Sequence, residues 1–560
     1  SYHGSLIIVV FKPAIHKFLI PTIVTMSTTT IFALVLGLAV ANALVLVLLL
    51  LLQRMTRLRQ DFANNNNNNN KNKSKDNKQV VVQLTDIVWD FYIMDVPPIA
   101  TLTWFQGDYR EATGWLEDRV QSILRQNPWL MGRIELKSGC MCLSLRPSLV
   151  YNKVVREEDA DPIPIHIADY FQVHHHETPT TTMTATTKET STKETGHKAT
   201  PKYLSRDTPL SQLIHICQQE NYIIPKKRNG PLFRVSIVPC HKNPHSQFAL
   251  IVSMSHLVAD GNTFYQLHNM LCSNDDIQEL TIDAIQNTRR QQEKAMGLTN
   301  YKFNRISLAY GSSLLWGVLQ NALFQKVKPH FLVIKENEIA SVKQQYAETL
   351  KQKTSTQQQH QQPMPAFIST NDVVTSWYFL HSACTRGTMT IDFRNRLDGH
   401  TNLHAGNYIA NLVYHPCDAA SPALIRQSLS ANTASSLTNL PPFHRVVNTR
   451  LPTYWQVFTG SVASITNWTC FSQPLTIPHC QEDMHAPVFD PSILPTTFVY
   501  AVVFRMSPSQ LGVYVAGTSE KLAGILEAPF LELLEDTRRS TAESTCSIED
   551  KDMSSTTGIE

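Results

Sequence analysis

The sequence predicts two lobes of mixed α/β (α+β) build, carried behind one N-terminal membrane-crossing helix. Three observations lead there. At 560 residues the chain is too long for a single hydrophobic core. Short β-rich runs alternate with helical patterns in both of its folded blocks, which argues for α/β or α+β lobes. An uncharged apolar run of 22 residues stands near the front.

That run extends from Ile31 to Leu52, with Asn42 its only strongly polar member. A helix rising about 1.5 Å per residue would cross the roughly 30 Å hydrocarbon layer over this length. A cleaved signal peptide would have an apolar core of about 7–15 residues and a small-residue cleavage site. Here the run is longer and passes into Gln53-Arg54-Met55-Thr56-Arg57-Leu58-Arg59, so it reads as an anchor. Lys12 and Lys17 precede it, whereas Arg54, Arg57, Arg59, Lys71, Lys73, Lys75 and Lys78 follow. This asymmetry favours a cytosolic body, hence a single-pass protein of the endoplasmic reticulum or another internal membrane. Met26 is a candidate initiator; residues 1–25 of the N-terminal segment 1–30 would then fall outside the mature protein.

Residues 53–79 contain the Asn64 to Asn70 run and a Lys/Asn/Ser stretch, and read as a tether. Three other biased segments punctuate the body: a Thr-rich insertion over about 174–201, a Gln-rich linker over 351–363, and a tail over 536–560. The first contains His174-His175-His176. No Cys or carboxylate stands at ligand spacing beside them, so no metal site is expected. What remains divides into an N-terminal lobe, 80–350, and a C-terminal lobe, 364–535.

Within the first lobe, Leu116, Val120, Ile123 and Leu124 give helical spacing over Trp115 to Gln126, and Asn127-Pro128 stops it. Residues 233–238 and 248–254 read as strands there, and 389–393 and 498–504 in the second lobe. Charge is balanced, 49 Lys+Arg against 46 Asp+Glu, which excludes an argument for nucleic-acid binding from bulk electrostatics. Ten cysteines stand without Cys-x-x-Cys pairs or regular spacing, so neither a disulfide framework nor a zinc module is expected. Asn467-Trp468-Thr469 and Asn72-Lys73-Ser74 would be glycosylation sequons only in a lumenal body.

The segment richest in chemistry is Ser253-Met254-Ser255-His256-Leu257-Val258-Ala259-Asp260-Gly261. An apolar strand ends in a polar turn carrying a His and, four positions on, an Asp. A His held rigidly at a strand end suits general-base work, because its pKa lies near neutral pH. The Asp can fix the loop by pairing with a cation, and Gly261 permits backbone geometry closed to other residues. The bland reading is an Asp-Gly surface turn.

His256-Leu257-Val258-Ala259-Asp260-Gly261 resembles the His-x-x-x-Asp-Gly motif of the chloramphenicol-acetyltransferase-like superfamily, and most of all its BAHD-type acyl-CoA-dependent acyltransferases. Four further segments resemble that superfamily in the same order. They are Asn127-Pro128-Trp129-Leu130-Met131-Gly132-Arg133, Thr370-Asn371-Asp372-Val373-Val374-Thr375-Ser376-Trp377, Asp392-Phe393-Arg394-Asn395-Arg396-Leu397 with Gly406-Asn407-Tyr408, and Ser464-Ile465-Thr466-Asn467-Trp468. Two departures stand beside them. Condensation domains and wax-ester synthases carry two adjacent histidines, and Ser255 stands here at the first of those positions. About Pro474 to Phe489 there is no Asp-Phe-Gly-Trp-Gly.

The resemblance implies a two-lobe fold with an interlobe channel and a membrane-anchored acyltransferase moving an acyl group from acyl-CoA to an alcohol or amine. In it, His256 is the general base, Thr466 the oxyanion donor, and Asp260 the residue that holds the loop without touching substrate. Its partner is Arg394 or Arg396. Gly261, Trp468, Arg394 and Arg396 are expected around the substrate. Acyl-CoA is a co-substrate, and neither a resident cofactor nor a metal is expected. A wax-ester or diacylglycerol type of lipid acylation is the alternative within the superfamily. A degenerate, non-catalytic, membrane-tethered binding protein is the alternative outside enzymology.

Overall fold

The computed structural model describes residues 80–84, 88, 96–137, 140–145, 165–174, 204–225, 230–272, 276–282, 288–296, 308–324, 326–355, 364–429, 456 and 460–534. The apolar segment 31–52, the tether 53–79 and the tail 536–560 lie outside these residues. No helix among the described residues is long and apolar enough to cross a membrane.

In chain order, the first half comprises β1 (Val80–Gln83), β2 (Ile99–Gln106), α1 (Tyr109–Gln126), β3 (Arg133–Lys137), β4 (Cys140–Leu145), β5 (Phe171–Val173), α2 (Leu210–Gln219), β6 (Phe233–Pro239), β7 (Gln247–Met254), α3 (Gly261–Met270), α4 (Thr288–Met296), α5 (Leu308–Phe324), β8 (Val327–Ile334) and α6 (Glu336–Ser355). The second half adds α7 (Thr370–His381), β9 (Arg386–Asp392), β10 (Ile409–Tyr414), α8 (Pro422–Leu429), β11 (Val462–Asn467), β12 (Gln481–Pro487), β13 (Phe498–Ser507), β14 (Gln510–Thr518), α9 (Ser519–Leu526) and β15 (Leu531–Leu533).

Two sheets organise the body, one of five strands in the order β12-β2-β7-β6-β5 and one of seven in the order β10-β9-β11-β13-β14-β8-β15. A short sheet, β1-β4-β3, shares no strand pairing with either, but its Ile134, Leu143 and Leu145 join the core under β7. Strand alternation sorts the core into layers. On β7, Phe248, Leu250, Val252 and Met254 pack with α1 and α3, while Ala249 and Ile251 face the other way. The latter share a core with Val502, Phe504 and Tyr514 of the seven-stranded sheet, so the two sheets are joined through an apolar layer. The outer face of the large sheet is covered by α7, α8 and α9, among others.

The chain division at 351–363 does not follow the sheets. β8, assigned from sequence to the N-terminal lobe, pairs with β14 and β15 of the large sheet. β12, assigned to the C-terminal lobe, pairs with β2 of the small one. Each sheet thus completes itself with a strand from the other half of the chain, a pairing that sequence distance does not encode. The expected Gln-rich linker is corrected as well: Lys351 to Ser355 continue α6, as their helix-forming Lys and Gln residues allow, and 356–363 lie outside the described residues. His174, placed in the Thr-rich insertion, closes β5 instead, its backbone N–H bonded to the Ile237 carbonyl at 3.0 Å and its ring edge-on to Tyr222. The remainder of that insertion is outside the described residues.

α1 starts earlier than its apolar spacing showed, at Tyr109, because the Asp108 side chain caps it by accepting from the Arg110 N–H. Its buried residues include the expected Leu116, Val120, Ile123 and Leu124, and Asn127 ends it. α7 opens with a capping box between Ser369 and Asp372, and Arg426 of α8 adds a charge-assisted bond to the Asp372 carboxylate at 2.7 Å.

Candidate active site

β7 ends at Met254, and the six residues before α3 carry the candidate site. Their path is fixed by the backbone: Ser255 N–H donates to the Leu232 carbonyl at 2.8 Å, and Val258 N–H to the Ser255 carbonyl at 3.2 Å. From across the molecule, Asn407 Nδ2 donates to the carbonyl of His256 itself at 2.8 Å. His256 is half-buried as a residue, with its imidazole withdrawn from bulk water. Burial lowers its pKa below the ordinary value, against the opposing pull of nearby backbone groups, the Asp260 charge and the Asn407 side chain. The ring is therefore neutral at pH 7 and able to accept a proton.

Asp260 is the N-cap of α3 and is fully buried. Its Oδ1 accepts from Thr263 N–H at 3.0 Å; its Oδ2 accepts from Arg394 Nη1 at 2.7 Å and from Tyr408 N–H at 2.9 Å. The sequence left two partners open, and the structure pairs Asp260 with Arg394. All five donors of that guanidinium are engaged. Nε meets the His404 carbonyl at 2.8 Å, and Nη1 meets Asp392 Oδ1 at 3.0 Å as well as Asp260. Nη2 meets Thr263 Oγ1 at 2.9 Å and the Gly406 carbonyl at 3.0 Å. Burial works against its charge, but Asp260 and Asp392 outweigh that and hold it more firmly protonated.

This corrects one expectation. Arg394, expected around the substrate, is buried with no donor left for a ligand; it ties the His256 loop to the chain after β9. Arg396, two residues on, is exposed in the turn that closes with its N–H on the Phe393 carbonyl at 3.1 Å, and does not join the ion pair with Asp260. The turn reverses the chain between them, which is why two arginines so close in sequence part company.

Gly406 holds φ 139°, a backbone conformation that favours glycine. That geometry lets its carbonyl accept from Asp260 N–H at 3.2 Å as well as from Thr263 Oγ1 and Arg394 Nη2. Gly261 plays a different part. A Cβ there would lie 3.0 Å from Trp468 Nε1 and 3.2 Å from Cδ1, so the missing side chain is what admits the indole against the start of α3. Trp468 is further bounded by the Tyr265 ring, with centroids 5.8 Å apart, and its backbone N–H donates to the Val503 carbonyl at 2.8 Å.

Thr466, half-buried, lies two residues before Trp468 near the end of β11, opposite Val502 of the parallel β13. Asn467 between them donates to Asn371 Oδ1 of α7 at 2.9 Å and accepts from Thr469 N–H and Oγ1. So the Thr370-Asn371-Asp372 and Ile465-Thr466-Asn467-Trp468 segments, about a hundred residues apart, brace one another. The structure brings His256, Asp260, Gly261, Trp468 and Arg394 into one contiguous cluster, with Thr466 on the strand that delivers Trp468.

Sequence reasoning missed two features. Asp392 doubles the anionic side of the Arg394 knot and also accepts from Asn262 Nδ2 at 2.6 Å. Nothing beyond its place in a motif signalled that. At the far end of α3, His268 and Tyr265 are buried beside His485, whose rings come from β12. Tyr265 Oη and His485 Nε2 stand 3.0 Å apart, and Thr103 Oγ1 meets His485 Nδ1 at 2.8 Å. No spacing rule connects positions 103, 265, 268 and 485. Among the described residues no group of His, Cys, Asp or Glu is arranged to hold a metal ion.

No protein-family model matches the chain, and no curated protein matches its sequence. Several solved structures are similar to it in fold. One is Fusarium sporotrichioides TRI101 complexed with coenzyme A and T-2, at 11% identity and a TM-score of 0.47, covering 80% of this chain and 99% of that one. Another is the polyketide synthase associated protein 5 of Mycobacterium tuberculosis, at 12% identity and a TM-score of 0.43, over 80% and 96% of the two chains. Vinorine synthase is similar at 10% identity and a TM-score of 0.42, over 81% and 93%. At such identities a likeness concerns the path of the chain and says nothing of substrate.

Proposed function

We propose that the protein is an acyltransferase that moves an acyl group from acyl-CoA to an alcohol or amine, with His256 as general base. The observation that carries this reading is the His256 loop: a neutral imidazole at a strand end, in a segment whose every turn is tied down by buried bonds. Rigid placement of a neutral imidazole able to accept a proton is what proton abstraction in a transition state requires.

In the step proposed, the acceptor oxygen or nitrogen attacks the thioester carbonyl as its proton passes to His256. The carbonyl oxygen takes the charge of the tetrahedral intermediate, and the Thr466 hydroxyl is the donor suited to it. The C–S bond then breaks, and the imidazolium returns its proton to the departing thiolate, giving free CoA and an ester or amide. No enzyme nucleophile is involved. Asp260 and Arg394 act by positioning the loop, and Gly261 and Trp468 by shaping the site's wall. The segment 31–52 would hold this body at the cytosolic face of an internal membrane, which supports a lipid-like donor or acceptor.

The test is free-thiol release by the full chain from a panel of acyl-CoA donors with mixed alcohol and amine acceptors. Release that needs an acceptor and falls by about 10²–10⁴-fold in His256→Ala is expected. Release that persists in the variant would place the base elsewhere. No release with any donor would favour the non-catalytic binding protein.

A further inference from the structure

Helix α5 is built inside out. A surface helix of a soluble body turns its apolar stripe inward and its polar face to water. Among the residues of α5 whose burial is described, the buried ones are Ser313, Gly317 and Asn321. They lie against the segment before β13: Asn321 Nδ2 donates to the carbonyls of Ser492 at 3.0 Å and Leu494 at 2.9 Å, and its Oδ1 accepts from Val327 N–H at 3.0 Å. The Gly317 carbonyl accepts from Thr496 N–H at 3.1 Å, and a Cβ there would sit 2.6 Å from Pro495 Cβ.

The opposite face carries Trp316, Leu319 and Leu323, at 52%, 43% and 66% exposure, flanked by Val318 and Phe324. Of the nine large hydrophobics exposed among the described residues, five lie on this one helix, so the patch is not scattered surface apolarity. The charge of this stretch of chain is one-sided. From Lys294 to Lys335 the chain has no Asp or Glu, while Lys302 and Arg305 precede the helix and Lys326 and Lys328 follow it. The Lys326 ammonium stands 5.1 Å from the centre of the exposed Phe324 ring.

An apolar face with Trp and Phe, on a helix followed by Lys326 and Lys328 in a stretch of chain without acidic residues, has the chemistry of a helix lying in the interface of an anionic bilayer. We propose that the outer face of α5 docks onto such a bilayer, a contact separate from segment 31–52 and independent of the acyl-transfer reading. The helix cannot span, because its 17 residues reach only about 25 Å and its polar stripe is bonded to the body.

The test uses the full chain reconstituted in phosphatidylcholine vesicles, with or without phosphatidylserine, whose acyl chains are brominated near the headgroup. Bromine quenches an indole only at contact, and Trp316→Phe removes the reporter at an exposed site while keeping its apolar character. We expect most of the bromolipid-sensitive emission of the unmodified chain to be lost in Trp316→Phe. The quenching should grow with phosphatidylserine, and Lys326→Glu combined with Lys328→Glu should abolish that growth. Equal quenching with and without Trp316 would overturn the proposal.

Discussion

The two ends of α3 bury polar side chains on opposite terms. At its N-terminus Asp260 accepts three hydrogen bonds, and the five donors of Arg394 meet five acceptors. Two turns on, His268 is just as buried, yet neither of its ring nitrogens makes a well-formed hydrogen bond to the described residues. A buried charge is tolerated when its pairing is complete, whereas a buried polar group left without bonds costs about 1–3 kcal/mol. The first end holds a loop rigid; the second makes a store of sensitivity to acid.

The largest effect should come from breaking the satisfied end. Arg394→Met leaves Asp260 and Asp392 facing one another without a cation, and should cost about 3–5 kcal/mol in urea unfolding. Arg394→Lys should recover little, because an ammonium offers three donors from a point where the guanidinium offered five in a plane. Wild-type stability in Arg394→Lys would show that charge alone holds the loop.

The unsatisfied end should reveal itself by pH. Burial pushes the His268 pKa down to about 4, the nearby Asn269 side chain opposing it only in part, and burial with the neighbouring His268 lowers that of His485 as well. In the unfolded chain both titrate near 6.5. A depressed folded pKa stabilises the protein above the unfolded pKa, and the stability is lost as pH falls toward the folded value. Between pH 6.5 and 4 the His268 contribution should fall by about 3 kcal/mol. His256, whose pKa is also lowered by burial, adds to the slope with the same sign. In His268→Leu the unfolding midpoint should depend less steeply on pH over that window. An unchanged slope would mean that His268 titrates alike in the folded and the unfolded chain.

The same contrast explains what was legible in the sequence. The Asp260 end was readable because its bonds join short segments with fixed residue types: His256 to Gly261, Asp392 to Arg394, and Gly406 to Tyr408. Which arginine pairs with Asp260 was not, since the answer depends on a turn that points Arg394 inward and leaves Arg396 exposed. Leu116, Val120, Ile123 and Leu124 announced α1 because helical burial repeats with a short period. The His268–His485 contact had no such signature, because it depends on β12 leaving its neighbours in sequence to pair with β2. For the same reason the exchange of β8 and β12 between sheets was invisible: strand partners distant in sequence follow tertiary packing, which local pattern does not encode. The inverted polarity of α5 escaped as well, since an apolar helix in a sequence reads as core until its neighbours are known.

The smallest effect tests whether the satisfied end serves position more than stability. At Gly261 an added methyl would meet the indole of Trp468 at 3.0 Å, closer than comfortable contact, and a ring wedged against Tyr265 has little freedom to yield. Crowding of that kind costs about 1–3 kcal/mol. Against it, alanine in the first turn of α3 returns up to about 1 kcal/mol of helix preference. Gly261→Ala should therefore unfold within about 2 kcal/mol of the parent. The proposed acyl transfer should fall more sharply, by about tenfold, because a shift of a wall residue misaligns the reacting groups. The discriminating measurement sets kcat/KM beside the unfolding midpoint in one preparation. Loss of activity with stability kept would assign Gly261 to the geometry of the site, whereas parallel losses would make it a packing residue of α3 alone.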